Sequence, residues 1–135
     1  MSLFSFSGTQ PTDLGINNGQ LKGCPDTPNC VNSQAPASDK EHAIAPFTYS
    51  GSATDAINRL KQIIAGMERS TIHETSDNYL YAEFSSRLMG FVDDVEFYAP
   101  AGESVIHTRS AARLGKSDLG ANRKRTEEIR SQFNR

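Results

Sequence analysis

From Ala53 to Met67 the apolar residues Ala53, Ala56, Ile57, Leu60, Ile64 and Met67 recur three and four apart. That is the period of a helix with one buried face, and it predicts a helix over 53–67. Ser52 stands three residues before Asp55, an N-cap signature, and Gly66 falls where helices often stop. The pattern then changes to alternation. STIHET (70–75), YLYAEFSS (79–86), FVDDVEFYA (91–99) and SVIHTRSA (104–111) read as four strands. RLMG (87–90) and PAGE (100–103) supply two of the turns. IAPFTYS before the helix reads as a short strand. A last helix is expected from Leu119 to Phe133, with Leu119, Thr126, Ile129 and Phe133 as its buried stripe and Ser117 or Asp118 as its cap.

The order β-α-β-β-β-β-α predicts an α+β domain over residues 44–135. A single antiparallel sheet would carry both helices on one face, as a two-layer sandwich. Residues 1–43 are rich in Pro, Gly, Asn and Ser without a sustained period, and read as an extended arm over the domain. Leu3, Phe4, Phe6, Leu14 and Ile16 are its candidate anchors. No internal repeat is visible.

Strand alternation sorts the charges by face. Pairing Phe84 with Phe91, and Phe97 with Ile106, puts Leu80, Ala82, Phe84, Phe91, Val95, Phe97 and Ile106 under the helices. Asp93 is the one charged member of that face. The opposite face carries Tyr81, Glu83, Asp94, Glu96, Tyr98, His107 and Arg109. In this register Asp94 lies across from Arg109, and Glu96 across from His107. The face reads either as a solvated surface with ordinary pairing or as a polar platform covered by the arm. Asp93 needs a donor, because an unpaired buried charge is very costly. Ser110, Arg123 and the N-terminus of the last helix are the candidates. Asp93 then reads as a staple for that helix, with an acid or base tuned by burial as the alternative.

Composition limits the class. With 135 residues the chain is one domain by length. Its net charge of −2 gives no global field for nucleic acid or an anionic membrane. The charge is nevertheless uneven: residues 109–135 hold eight Lys/Arg against three Asp/Glu, and residues 1–108 hold six against thirteen. The basic end pairs with the acidic sheet of its own fold or meets an external anion or acidic partner. No apolar run is long enough to span a membrane. The first residues lack a basic stretch followed by an apolar one, so they are not a secretory signal as they stand. The chain is accordingly expected to be cytoplasmic, or a mature or trimmed form.

The candidate chemistry is a polar constellation without a recognisable reaction. Gly115, Ser117 and Gly120 precede a helix, where anions bind, but the spacing matches no phosphate-binding loop and Asp118 would repel a phosphate. No nucleophile–base order is legible, and the aromatics form no stacking platform for nucleic acid. Cys24 and Cys30, in CPDTPNC, are the only cysteines. A disulfide suited to an oxidising compartment leads, with free thiols and a metal as alternatives. The scattered histidines His42, His73 and His107 disfavour the metal, and no cofactor motif is present.

The blocks CPDTPNCVNSQA, YSG, YLYAEFSSRLMGFVDDVEFY and IHTRSAARLGKSDLGANRKRTEEIR resemble the uncharacterised family DUF1499 over residues 24–130, in its photosynthetic-type form. The matching positions are Cys24, Pro25, Asp26, Pro28, Asn29, Cys30, Asp93, Asp94, Glu96, Arg109, Ser110, Arg113, Gly115, Ser117, Asp118, Asn122 and Arg123. The resemblance implies no activity. It implies an exported or membrane-tethered protein, in periplasm or thylakoid lumen once a leader is removed, and this fits a Cys24–Cys30 disulfide. The leading expectation is a small non-enzymatic binding or assembly domain, with a protein partner or a small anionic ligand. Its site would comprise the Asp94/Glu96/Arg109 face and the turn from Arg113 to Arg123. The alternative is an enzyme or binding protein for a small anion, with Arg109, Arg113 and Arg123 as the grip and Asp93 or Asp94 as acid or base.

Overall fold

The structure, a computed structural model, describes residues 8–87 and 90–135. The expected anchors Leu3, Phe4 and Phe6, and Leu88 and Met89 of the expected RLMG turn, lie outside the described residues. The elements are β1 (Cys30–Asn32), β2 (Phe47–Thr48), α1 (Ala53–Ala65), β3 (Ser70–Thr75), β4 (Tyr79–Ser85), β5 (Val92–Tyr98), β6 (Val105–Ala112) and α2 (Ala121–Phe133). They form the expected α+β arrangement: one six-stranded antiparallel sheet in the order β1-β6-β5-β4-β3, with β2 also paired to β6. β1 pairs with 109–111 and β2 with 105–106, so the two lie end to end along the outer edge of β6. β1 falls inside the stretch read as an arm. Three residues with no alternation of their own give no strand signal, and the edge of β6 recruits them.

α1 forms where its period places it. Ser52 Oγ accepts the Asp55 N–H at 3.0 Å, and Gly66 closes the helix. Ala56, Ile57, Leu60 and Ile64 are buried against Leu80, Ala82, Phe84, Val95 and Phe97 of the sheet and Ile129 and Phe133 of α2. Both helices thus cover one face, and burial of these side chains, worth about 1.5–3 kcal/mol for each large one, is what drives the layer together. Phe47 is wedged edge-on between Phe97 and Phe133, at 5.5 and 5.6 Å between ring centres.

Phe91, expected under the helices, precedes β5 and is 40% exposed; the other faces are as the alternation predicted, but the register is two residues away. Leu80 stands across from Phe97, Ala82 from Val95 and Phe84 from Asp93. Across the next pair Glu96 faces Arg109 and Tyr98 faces His107. Asp94 therefore lies opposite Ala111, not Arg109, and Glu96 opposite Arg109, not His107. A two-residue slip leaves every side chain on its own face, so alternation cannot detect it. The turns decide it. Ser86 and Phe91 close one through Ser86 N–H to Phe91 O at 2.7 Å, and Gly102 at φ +79° sits in the other.

The last helix starts two residues later than expected. Leu119 and Gly120 both have left-handed φ, +55° and +79°, which ends any helical path through them. Leu119 is 97% exposed instead of buried, and Asn122 takes the first place in the stripe ahead of Thr126, Ile129 and Phe133. Gly120 takes the N-cap position and has no side chain to cap with; Asp118, two residues earlier, supplies the capping carboxylate: Oδ1 accepts the Gly120 N–H and Oδ2 the Asn122 N–H, both at 2.9 Å.

Candidate functional site

On the sheet face away from the helices, the candidate acids are buried and paired. Arg113 grips Asp94 with two donors, Nε to Oδ2 at 2.9 Å and Nη2 to Oδ1 at 2.8 Å, and its Nη2 also reaches Glu83. The Asp94 carboxylate beside it holds the Arg113 guanidinium above its ordinary value, and burial opposes this. Tyr81 donates its hydroxyl to Asp94 and stacks on His73, whose Nε2 lies 2.8 Å from Glu83. Burial, then the Asp94 partner, raises the Tyr81 hydroxyl.

Glu96 is fully buried beside this cluster. Its Oε2 accepts the Tyr79 hydroxyl at 2.6 Å and the Gly15 N–H at 2.8 Å. Burial pushes its carboxyl above the usual range, against the pull of these two donors and of Arg109. Burial likewise lowers Arg109, against Glu96 and Asp94. Arg109 Nη2 donates to Gly23 O at 3.3 Å. Glu96 Oε1 and Arg109 Nε have no hydrogen-bond partner among the described residues.

The cover over this face is the arm. Leu14 and Leu21 pack on Tyr79, Tyr81 and Tyr98. Asn32 Nδ2 donates to Lys22 O at 2.9 Å, and Leu21 N–H donates to Gln34 Oε1 at 2.8 Å. Among the described residues, 8–23 form no ladder with the sheet; sheet and loop side chains reach out and hold their backbone. Ile16 remains exposed. A Cys24–Cys30 disulfide fixes the end of the arm to β1.

On the helix side, Asp93 is bound by Arg125, Nη2 to Oδ2 at 2.8 Å, and not by Ser110 or Arg123. Arg125 also lies over the Phe84 ring. Ser110 donates instead to Asn122 Oδ1, a buried acceptor that ties α2 to β6. Asn122 Nδ2 donates to Asp118 Oδ2 at 2.8 Å and to Asn29 O at 3.3 Å. Asn29 in turn donates to Gly115 O at 2.8 Å, so the CPDTPNC loop clasps the β6–α2 turn. Arg123 is set apart: its Nη2 reaches the carbonyls of Lys40 and Glu41 at 3.4 and 3.2 Å.

Between this turn and the start of β5 lies a cleft of about 220 Å³. Val92, Ala112, Leu114 and Ala121 give it an apolar lining; Asp93 and Arg125 stand in its wall, with Ser117 and Asp118 at its edge. Leu114 is 42% exposed. Of the sequence candidates, the cleft gathers Asp93, Ser117 and Asp118. Asp94, Glu96, Arg109 and Arg113 belong to the other face.

Two further groups have the composition of sites. Ser33 Oγ lies 3.0 Å from His107 Nδ1, a nucleophile–base spacing. Ser33 Oγ, however, already accepts the Thr108 N–H at 2.8 Å. The N–H groups of Ser33, Gln34 and Ala35 are all spent on internal acceptors, so none of these three serves as an oxyanion donor. Asp39, Glu41 and His42 could converge on a cation. His42 has no lone pair to give: Nδ1 points at Asp39 Oδ2 and Nε2 at Thr27 O, each at 2.8 Å. Two acceptors fit an imidazolium.

Sequence reasoning placed Tyr81 and Glu83 on the polar face and Asn29 among the family positions without naming them as site residues, and missed Tyr79 and Arg125 altogether. Tyr79, Tyr81 and Glu83 alternate on β4, and that period was the available signal. Arg125 and Asn29 meet their partners only through folding.

The described residues make a small α+β domain with a buried, paired polar network on one sheet face and an apolar cleft beside the β6–α2 turn. Its described residues include no helix long and apolar enough to cross a membrane. Residues 20–133 match the family model described as a protein of unknown function, DUF1499, and the chain belongs to that family. No functionally curated protein matches it.

Proposed function

We propose that this chain is a non-enzymatic docking domain that binds a protein segment combining apolar and acidic residues. The turn from Arg113 to Arg123 is the contact surface. The observation that carries this reading is Leu119. It is a leucine in left-handed backbone, held out into solvent beside an apolar cleft. Such a conformation costs about 1–2 kcal/mol for a residue with a side chain, and it persists only where the surroundings impose it. Here Ser117 Oγ accepts the Leu119 N–H and Asp118 accepts the next one. A projecting apolar side chain next to a small apolar hollow is the geometry of a knob and a hole on one interface.

Charge selects the partner. Lys116 and Lys124 are exposed around the turn, Arg123 is partly so, and Asp118 is the acid among them. An acidic flank on the partner complements this surface. An enzymatic reading for Asp94 and Arg109 has less support, because both are buried and engaged.

The test is selection from a random peptide library on the wild-type domain, followed by amide chemical-shift mapping of the enriched peptides. The expected peptides carry acidic and bulky apolar residues, and shift Leu114, Leu119, Ala121 and Arg125. Leu119→Asn, which tolerates the same backbone, abolishes binding without unfolding the domain. Enrichment that Leu119→Asn retains, or shifts confined to another face, overturns the proposal.

A further inference from the structure

The Cys24–Cys30 bond is built asymmetrically. Cys30 is 1% exposed within β1, opposite Ala111. Cys24 is partly exposed and lines an open cleft of about 270 Å³ with Gln20, Gly23, Asn32, Gln34 and Asp39. Thiol–disulfide exchange requires a thiolate to reach one sulfur in line with the bond while the other sulfur leaves. Only Cys24 adjoins a cleft that admits such a group.

Cys24 also ends the arm. The residue before it, Gly23, accepts from Arg109, and Lys22 accepts from Asn32. Beyond these, the described arm is held by Gly15 N–H to Glu96, by Gln34, which accepts the Leu21 N–H and donates to Gly19 O, and by the packing of Leu14 and Leu21 on the tyrosines. None of these is a strand ladder. The covered state also leaves Glu96 Oε1 and Arg109 Nε without a protein partner. A buried unsatisfied donor and acceptor each weaken the covered state, and uncovering lets water satisfy both. Two polar atoms beneath the cover thus gain no protein partner from it, and the Cys24–Cys30 bond adds a covalent tie at the arm's end.

We infer that the Cys24–Cys30 disulfide is a thiol-exchange site attacked at Cys24 by a dithiol reductant, and that opening it releases residues 13–23 from the Glu96–Arg109 face. In the first step the reductant's thiolate forms a bond to Cys24 Sγ, the Cys24–Cys30 bond breaks, and Cys30 leaves as a thiolate that takes up a proton. The reductant's second thiolate then attacks its own sulfur in the mixed disulfide and expels the Cys24 thiolate. The reductant leaves as a disulfide, oxidised by two electrons, and the protein carries two thiols. Oxidation reverses both steps.

Glutathione carries no second thiol to resolve its own mixed disulfide, so an adduct trapped early by acid reports the site of attack. The native full chain is incubated with it, quenched with acid, alkylated and mapped by mass spectrometry. The expected product carries glutathione on Cys24 and the alkyl group on Cys30. Glutathione on Cys30, or no adduct until denaturant is added, overturns the assignment. Release of the arm is read separately, by amide exchange after reduction with dithiothreitol and in the Cys24→Ser/Cys30→Ser double variant. The Gly15 and Leu21 amides are expected to exchange at least about tenfold faster, with the β4 amide of Ala82 unchanged. Unchanged exchange at Gly15 and Leu21 overturns the release. Equal acceleration at Ala82 also overturns it, because the bond would then support the whole fold and not the cover.

Discussion

Arg125 Nη2 lies 2.8 Å from Asp93 Oδ2, and this contact joins the second turn of α2 to the middle strand of the sheet. Asp93 is the one acid on the apolar face, and the guanidinium that meets it comes from the basic end of the chain. Both side chains keep some solvent exposure, 12% for Asp93 and 19% for Arg125. Arg125→Met should therefore cost about 2–3 kcal/mol, at or below the low end for breaking a buried pair. Asp93→Asn in the Arg125→Met background should cost far less than in the wild type, because its partner is already gone. Urea unfolding of the four species measures this. Additive losses would show that the two residues act independently.

Asp118 gives the acid side of the stability curve. Burial pushes its carboxyl up, but the N–H groups of Asn122 and Gly120 and the Asn122 side chain outweigh it, and the net shift is downward. The folded value lies below the unfolded one, so its contribution is present above about pH 4 and is lost as pH falls through the folded value. Asp118→Ala should lower stability at neutral pH by about 1 kcal/mol, as loss of a helix cap does. It should also flatten the acid limb. A limb unchanged in the variant would contradict the capping role.

His42 acts in the opposite direction. The Thr27 carbonyl first, and the Asp39 carboxylate second, hold its imidazolium above the ordinary value. Its contribution is fully present below the unfolded value near 6.5 and is lost as pH rises through the folded one. Unfolding midpoints followed from about pH 6 to about pH 9 should fall, and His42→Gln should remove that slope. A slope that persists in His42→Gln would place the proton elsewhere.

Leu119 offers a stability test that is independent of any partner. It is almost wholly exposed, so removing its side chain sacrifices no packing. Leu119→Gly relieves about 1–2 kcal/mol of backbone strain, while the added freedom of the unfolded chain returns about 0.4–1 kcal/mol. The variant should be more stable by about 0.5–1 kcal/mol. Calorimetry showing a loss instead would mean that the leucine supports the fold.

The sequence by itself determined α1, the four long strands β3–β6 and which way their side chains face. The three-and-four spacing from Ala53 to Ile64 and the alternation through Tyr79–Ser85 and Val92–Tyr98 state which side chains are inward, because period alone carries that information. They sort Asp93 from Asp94 and Glu96 before any coordinates exist. The Cys24–Cys30 pair was also legible, as the leading one of three readings, because six residues of separation and two prolines bring the sulfurs together locally.

Tertiary structure decided who meets whom. Arg109 faces Glu96 and Asp94 falls to Arg113, because turn geometry sets the register and a two-residue slip is invisible to alternation. Arg125, not Arg123, reaches Asp93, because Leu119 and Gly120 delay the helix and rotate its first turn. β1 exists only because the edge of β6 pairs with it. Glu96, which alternation places on the outer face, is met there by Gly15 of the arm, 81 residues away in sequence, and Asp94 is closed over by Arg113 and Tyr81. Periodicity is a local property of the chain; burial and partnership depend on segments that only folding brings together.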